Sequence, residues 1–127
     1  MNFAYTILYV ENVADSLAFY QAAFGLSTRF LHESGAYGEL ETGATALAFS
    51  SRELMTSLGK HPRRADHHAP TFEIAFTTED VAAAVARAVQ AGAELVQSPQ
   101  EMPWGQTVAY VADRDGYLVE LCTPMGA

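Results

Sequence analysis

A chain of 127 residues suits one compact domain, and half of its residues are hydrophobic, enough for a core. A formal net charge of −8 argues against nucleic acid, which needs a basic footprint, and no apolar run approaches the roughly 20 residues that span a bilayer. The single cysteine, Cys122, excludes an internal disulfide and points to a reducing, cytoplasmic setting.

The N-terminal stretch MNFAYTILYVEN has neither a basic start nor a small-residue cleavage site, so no signal peptide is expected in it. Its apolar run reads as a strand, and Asn12 then suits a helix N-cap. Val13, Leu17, Tyr20 and Phe24 form a stripe at helical spacing before Gly25, which predicts a helix over about 13–24. STRFLHE, AYGELET and GATALAFSS follow as three strands. The next stretch, about 51–70, holds four of the seven basic residues (Arg52, Lys60, Arg63, Arg64) and reads as a solvated connector, with a basic lid over an anionic substrate as the functional alternative. Its RELMTSLG portion suits a short helix ended by Gly59.

The pattern then starts again. EIAFTTEDVAAAVARAVQAGA offers a strand, a cap at Asp80, a stripe of Val81, Val85 and Val89, and a glycine stop at Gly92, predicting a helix over about 80–91. AELVQS, GQTVAYVAD and DGYLVELCT supply three more strands. At a shift of 68 Asn12 falls on Asp80 and Val13 on Val81, and at a shift of 72 GATALAFSS falls on DGYLVELCT. The chain is therefore read as one domain, 1–127, of two tandem βαβββ modules, about 1–50 and 71–127, joined by the connector.

Strand alternation sorts the side chains. Leu8, Val10, Leu47 and Phe49 in the first module, and Phe72, Ile74, Phe76, Val119 and Leu121 in the second, are expected to meet the helices. Tyr5, Ala48, Glu73 and Glu120 then fall on the opposite face, where two carboxylates suggest a ligand cavity. The two could stay solvated at a rim; a buried pair would repel, raise at least one pKa, and serve as acid and base. Cys122 shares the Glu120 face, either as a small hydrophobe or as a nucleophile. Trp104, in EMPWGQ, either lines a pocket mouth for a planar ligand or plugs one end of the sheet, and Tyr9 and Tyr37 are further aromatic candidates.

ILYVENVADSLAFYQAAFGL and PWGQTVAYVADRDGYLVELCTP, on a doubled βαβββ layout, resemble the vicinal oxygen chelate superfamily of glyoxalase I, bleomycin-resistance proteins, fosfomycin-resistance enzymes and extradiol dioxygenases. The resemblance covers nearly the whole chain. It implies an α+β fold in which the modules form an incomplete, U-shaped eight-stranded barrel with helices outside, commonly as a homodimer with modules paired within or between chains. Metal-using members place ligands at positions that carry over to Tyr5, Ala48, Glu73 and Glu120. Glu120 matches the family's C-terminal glutamate, Tyr5 and Glu73 stand where histidines are usual, and Ala48 has no donor. No metal or other cofactor is therefore expected; if a divalent ion binds, Glu73 and Glu120 with His67 or His68 would hold it.

The function implied is metal-independent binding of a small molecule, of the glyoxalase/bleomycin-resistance type, through Tyr5, Ala48, Glu73, Trp104 and Glu120. The alternative is a metal-dependent lyase, isomerase or dioxygenase using Glu73 and Glu120. A dimeric interaction module without a ligand is a third reading. The expected partners are a small-molecule ligand and a second copy of the chain, not nucleic acid or a membrane.

Overall fold

The computed structural model describes residues 1–126. Two compact units divide the chain, the first ending at Arg64 and the second beginning at Ala65. The first contains β1 (Tyr5–Val10), α1 (Val13–Phe24), β2 (Thr28–Leu31), β3 (Tyr37–Leu40), β4 (Ala46–Ser51) and α2 (Arg52–Ser57). The second contains β5 (Glu73–Thr77), α3 (Val81–Gln90), β6 (Glu94–Glu101), β7 (Thr107–Ala112) and β8 (Leu118–Cys122). Each has one four-stranded mixed sheet, ordered β1-β4-β3-β2 and β5-β8-β7-β6, so the βαβββ plan occurs twice.

The helix starts follow from their caps. The Asn12 side chain accepts from the Asp15 N–H at 2.9 Å, and the Asp80 side chain accepts from the Ala83 N–H at 3.0 Å. Each satisfies one donor that a helix start leaves without an internal partner. Gly25 ends α1 at φ 71°, a left-handed conformation that glycine adopts without steric cost.

Helix-facing residues build the two cores. Leu8, Val10, Val13, Tyr20, Leu40 and Phe49 are almost completely buried in the first unit, with the Tyr20 and Phe49 ring centroids 5.1 Å apart. In the second unit Val81, Val85 and Ala88 of α3 are buried, as are Val111, Val119 and Leu121 of the sheet. The expected stripe is corrected at one position: Val89 is 43% exposed and Ala88 takes its place. At 100° per residue Ala88 returns to within about 20° of Val81, whereas Val89 lies about 80° round the helix.

The N-terminal part of the connector is ordered as α2, which Ser51 caps by accepting from the Leu54 N–H at 3.1 Å. α2 packs on β4 and β1. β6 runs past the expected AELVQS to Glu101, through Pro99. It is the outer strand of its sheet, where a residue without an N–H is tolerated, and its register shifts between Gln97 and Gln100. No helix among the described residues is long and apolar enough to cross a membrane.

Candidate functional site

In the second unit, β5, β8 and β7 lie side by side, with Ala75 paired to Glu120 and Glu120 paired to Tyr110. Alternation turns Glu73, Glu120 and Tyr110 to the face away from α3. The Tyr110 hydroxyl lies 2.9 Å from Glu120 Oε1 and 3.2 Å from Glu73 Oε2, so its one proton serves two carboxylates. Neither glutamate has a basic partner among the described residues.

The electrostatics follow from that arrangement. Burial raises the Glu73 pKa; the Tyr110 hydrogen bond opposes the rise, and the charge of Glu120 adds to it. Burial, the hydrogen bond to Glu120 and the two negative charges hold the Tyr110 hydroxyl firmly protonated. Cys122, on the same face, is buried, and its thiol is pushed up to about 11, by burial first and by Glu120 second. It donates weakly to the Phe76 carbonyl at 3.7 Å, an arrangement that suits a small core side chain rather than a thiolate.

Trp104 sits in the turn between β6 and β7, 64% exposed, and its Nε1–H donates to Gln106 Oε1 at 2.9 Å. His67 and His68 have other partners: His67 Nε2 pairs with Glu94, and His68 Nδ1 lies 3.1 Å from Asp66.

In the first unit the position equivalent to Tyr110 is Glu39, which pairs with Ala48 on β4. Tyr37 donates to Glu39 Oε2 at 2.7 Å; burial and this carboxylate raise the tyrosine's pKa, with a smaller contribution from Tyr5. Glu39 is buried and has Arg29 at 4.0 Å. Tyr5 is 55% exposed, Ala48 is fully buried, and Tyr9 accepts a hydrogen bond from Lys60 Nζ at 3.2 Å. The first module thus carries tyrosine on its first strand and glutamate on its third, and the second module carries the reverse.

The sequence reading missed Tyr110, Glu39 and Gln106. A signal for Tyr110 was present in the tight Asp113–Gly116 turn. A hairpin pairs residues equidistant from its turn, so Ala112 meets Leu118 and Tyr110 meets Glu120.

These donors fit a catalytic divalent ion poorly. Such a site takes about three protein ligands, and zinc or nickel favours nitrogen or sulfur among them. The four inherited positions offer two carboxylates, one phenol and one methyl group. Among the described residues no three His, Cys, Asp or Glu side chains form a metal-holding group.

Two βαβββ units, each with a tyrosine–carboxylate cluster on the sheet face opposite its helix, define a tandem-module protein. The profile of the Glyoxalase/Bleomycin resistance protein/Dioxygenase superfamily matches residues 2–121, and the chain belongs to that superfamily. Comparison with curated proteins gives no match. Among solved structures, a glyoxalase-related enzyme from Fulvimarina pelagi is 24% identical at a TM-score of 0.83, covering 100% of this chain and 94% of its own. A glyoxalase/bleomycin resistance protein/dioxygenase family enzyme from Burkholderia phytofirmans PsJN is 20% identical at 0.80, covering 97% and 98%. A protein of unknown function from Agrobacterium tumefaciens is 25% identical at 0.78, covering 98% and 95%. The first two likenesses, below 25% identity, show the fold alone.

Proposed function

We propose that this protein binds a small planar or cationic molecule without a metal, as a member of the glyoxalase/bleomycin-resistance type. The observation that carries this reading is the Glu73–Tyr110–Glu120 cluster. Two carboxylates, Glu73 exposed and Glu120 half-buried, share one hydroxyl proton and have no basic partner among the described residues. A ligand ammonium or amidinium would supply both the missing charge and the missing donors. Trp104 offers that ligand an aromatic face in the same module.

The working form is proposed to be a cytosolic homodimer. Each four-stranded sheet ends in outer strands whose free edges favour cover by another chain. Light scattering at micromolar concentration checks this, and a monomer would count against it.

Thermal shift tests the binding reading, because a ligand that binds only the native state stabilises it. An aromatic amine, 4-(aminomethyl)biphenyl, is expected to raise Tm, while the uncharged biphenyl-4-methanol is not. Glu120→Gln should weaken amine binding roughly tenfold, the scale of about 1.4 kcal/mol, and keep the native circular dichroism. Equal response to the amine and the alcohol would sink the proposal.

A further inference from the structure

Trp104 is mostly exposed, yet it is held in place. Its backbone lies in a tight turn closed by Met102 N–H to the Gln106 carbonyl at 2.7 Å and Gly105 N–H to the Met102 carbonyl at 2.9 Å. Gly105 has φ 92°, which glycine tolerates and a side-chain-bearing residue resists. The indole is fixed separately. Gln106 Oε1 accepts from Trp104 Nε1 at 2.9 Å, and Gln106 Nε2 donates to the Thr123 carbonyl at 2.9 Å. An indole N–H can only donate and a carbonyl can only accept, so these two partners fix which way round the amide sits. Among the described residues the Trp104 ring stacks on no other aromatic ring. Its polar edge is satisfied from within while its faces remain open.

Gln106 ties this ring to the carboxylate cluster. Alternation along β7 sets Val108 and Tyr110 toward one face, and Gln106, the residue before β7, reaches the end of β8 through its bond to the Thr123 carbonyl. On β8 the same face carries Glu120 and Cys122, and Val108 pairs with Cys122 and Tyr110 with Glu120. The Glu120 carboxylate raises the Cys122 thiol's pKa and the Gln106 amide lowers it, so both groups act on that one side chain. At about 3.3 Å per strand residue, Gln106 and Tyr110 are about 13 Å apart along β7.

We propose that Gln106 is a positioning residue that locks Trp104 as a stacking platform, at a fixed reach from Glu120 and Glu73 that selects ligands by length. This rests on the binding reading above and names its ligand class: an aromatic amine or amidine whose charge lies on the order of 10 Å from its far ring, inside the span of about 13 Å between Gln106 and Tyr110. Such a ligand sets its cation at the carboxylates and its far ring on Trp104. A rotating indole would lose ordering entropy on binding; a ring already held by Gln106 does not.

The chain has one tryptophan, so its fluorescence reports on this residue alone. The test compares 4-(aminomethyl)biphenyl with benzylamine, which carries the same charge but lacks the second ring. The longer amine should shift Trp104 emission and bind more tightly; benzylamine should bind without that shift. Gln106→Leu should lower Trp104 anisotropy, weaken the longer amine about tenfold, and leave benzylamine within twofold, a selective loss of roughly 1.4 kcal/mol. Gln106 as a mere clamp between β7 and β8 predicts something else: lower Tm with both amines affected alike. That outcome overturns the proposal, as does binding of the longer amine with unshifted Trp104 emission, and both leave the binding reading standing. Failure of both amines to bind the wild-type protein overturns the binding reading and this inference together.

Discussion

Glu73 holds its proton more tightly in the folded protein than the ordinary glutamate value of 4.5 implies. The sign of the consequence follows from linkage. Between the unfolded and folded pKa values the native state binds more protons, so stability falls as pH rises through that window. The ionised Glu73 is therefore a liability at neutral pH. Glu73→Gln keeps an oxygen that can accept from Tyr110 and removes the charge, so it should raise Tm at pH 7. The gain should fade as pH drops below the ordinary glutamate range, where the wild-type carboxyl is neutral too. Thermal melts of both proteins from pH 3 to 7 check this; a gain that is constant with pH would point to a cause other than titration. Tyr110→Phe acts in the opposite sense on the same residue. The lost hydrogen bond favoured the charged form of Glu73, so the Glu73 pKa should climb further, as read from its carboxyl carbon in an NMR titration. Two carboxylates deprived of their shared donor should also cost about 1–2 kcal/mol of stability. An unmoved Glu73 titration would mean that the Tyr110 bond is not formed in solution.

At the scale of elements, the sequence was legible wherever a local rule decides the outcome. Asn12 and Asp80 cap because a side-chain acceptor before an apolar stripe has few other uses. Gly25 stops α1 because the chain turns left-handed there. The rule failed at Val89, where hydrophobicity was weighed without the angle: Ala88 is the smaller residue but points the right way. Gly38 was equally opaque, because its role depends on how closely α1 approaches β3. A Cβ added there would lie 2.8 Å from Leu17 Cδ1, 3.1 Å from the Phe30 carbonyl oxygen and 3.2 Å from Val13 Cγ1. The Leu17 tip can rotate away, but the backbone oxygen cannot without moving β2. Gly38→Ala should therefore destabilise by about 1–3 kcal/mol, the usual range for overpacking, as measured by urea unfolding. A neutral result would show that α1 can slide off β3 without penalty.

At the scale of the whole molecule, the internal repeat identified the face but not the partnerships on it. Shifts of 68 and 72 residues bring Tyr5 onto Glu73 and Ala48 onto Glu120. The third strand of each module completes the pattern, with Glu39 in one module and Tyr110 in the other. A reading built on first and last strands passed over both: Tyr110 acts through hydrogen bonds across the sheet, and Glu39 through one from Tyr37 on its own strand. They also bear on metal chemistry. A cation seated between Glu73 and Glu120 would have to displace a hydroxyl that already donates to both. That hydroxyl would make a poor anionic ligand itself, since burial and the two carboxylates hold its proton on. Ala48 has no donor atom, and His67 and His68 are bonded to Glu94 and Asp66. Two carboxylates alone hold zinc, nickel or manganese weakly. Protein purified without chelator should therefore contain transition metal far below one equivalent per chain by elemental analysis. EDTA should leave Tm and amine binding unchanged, since removing an ion that does not stabilise the native state costs nothing. Tyr110→Phe sharpens the test. With the bridging proton gone, the bare carboxylate pair should gain affinity for manganese, seen as a Tm rise in millimolar MnCl2 that the wild-type protein does not show. One equivalent of tightly held metal in the wild-type protein, with Tm lost on chelation, would overturn this account and make Glu73 and Glu120 ligands.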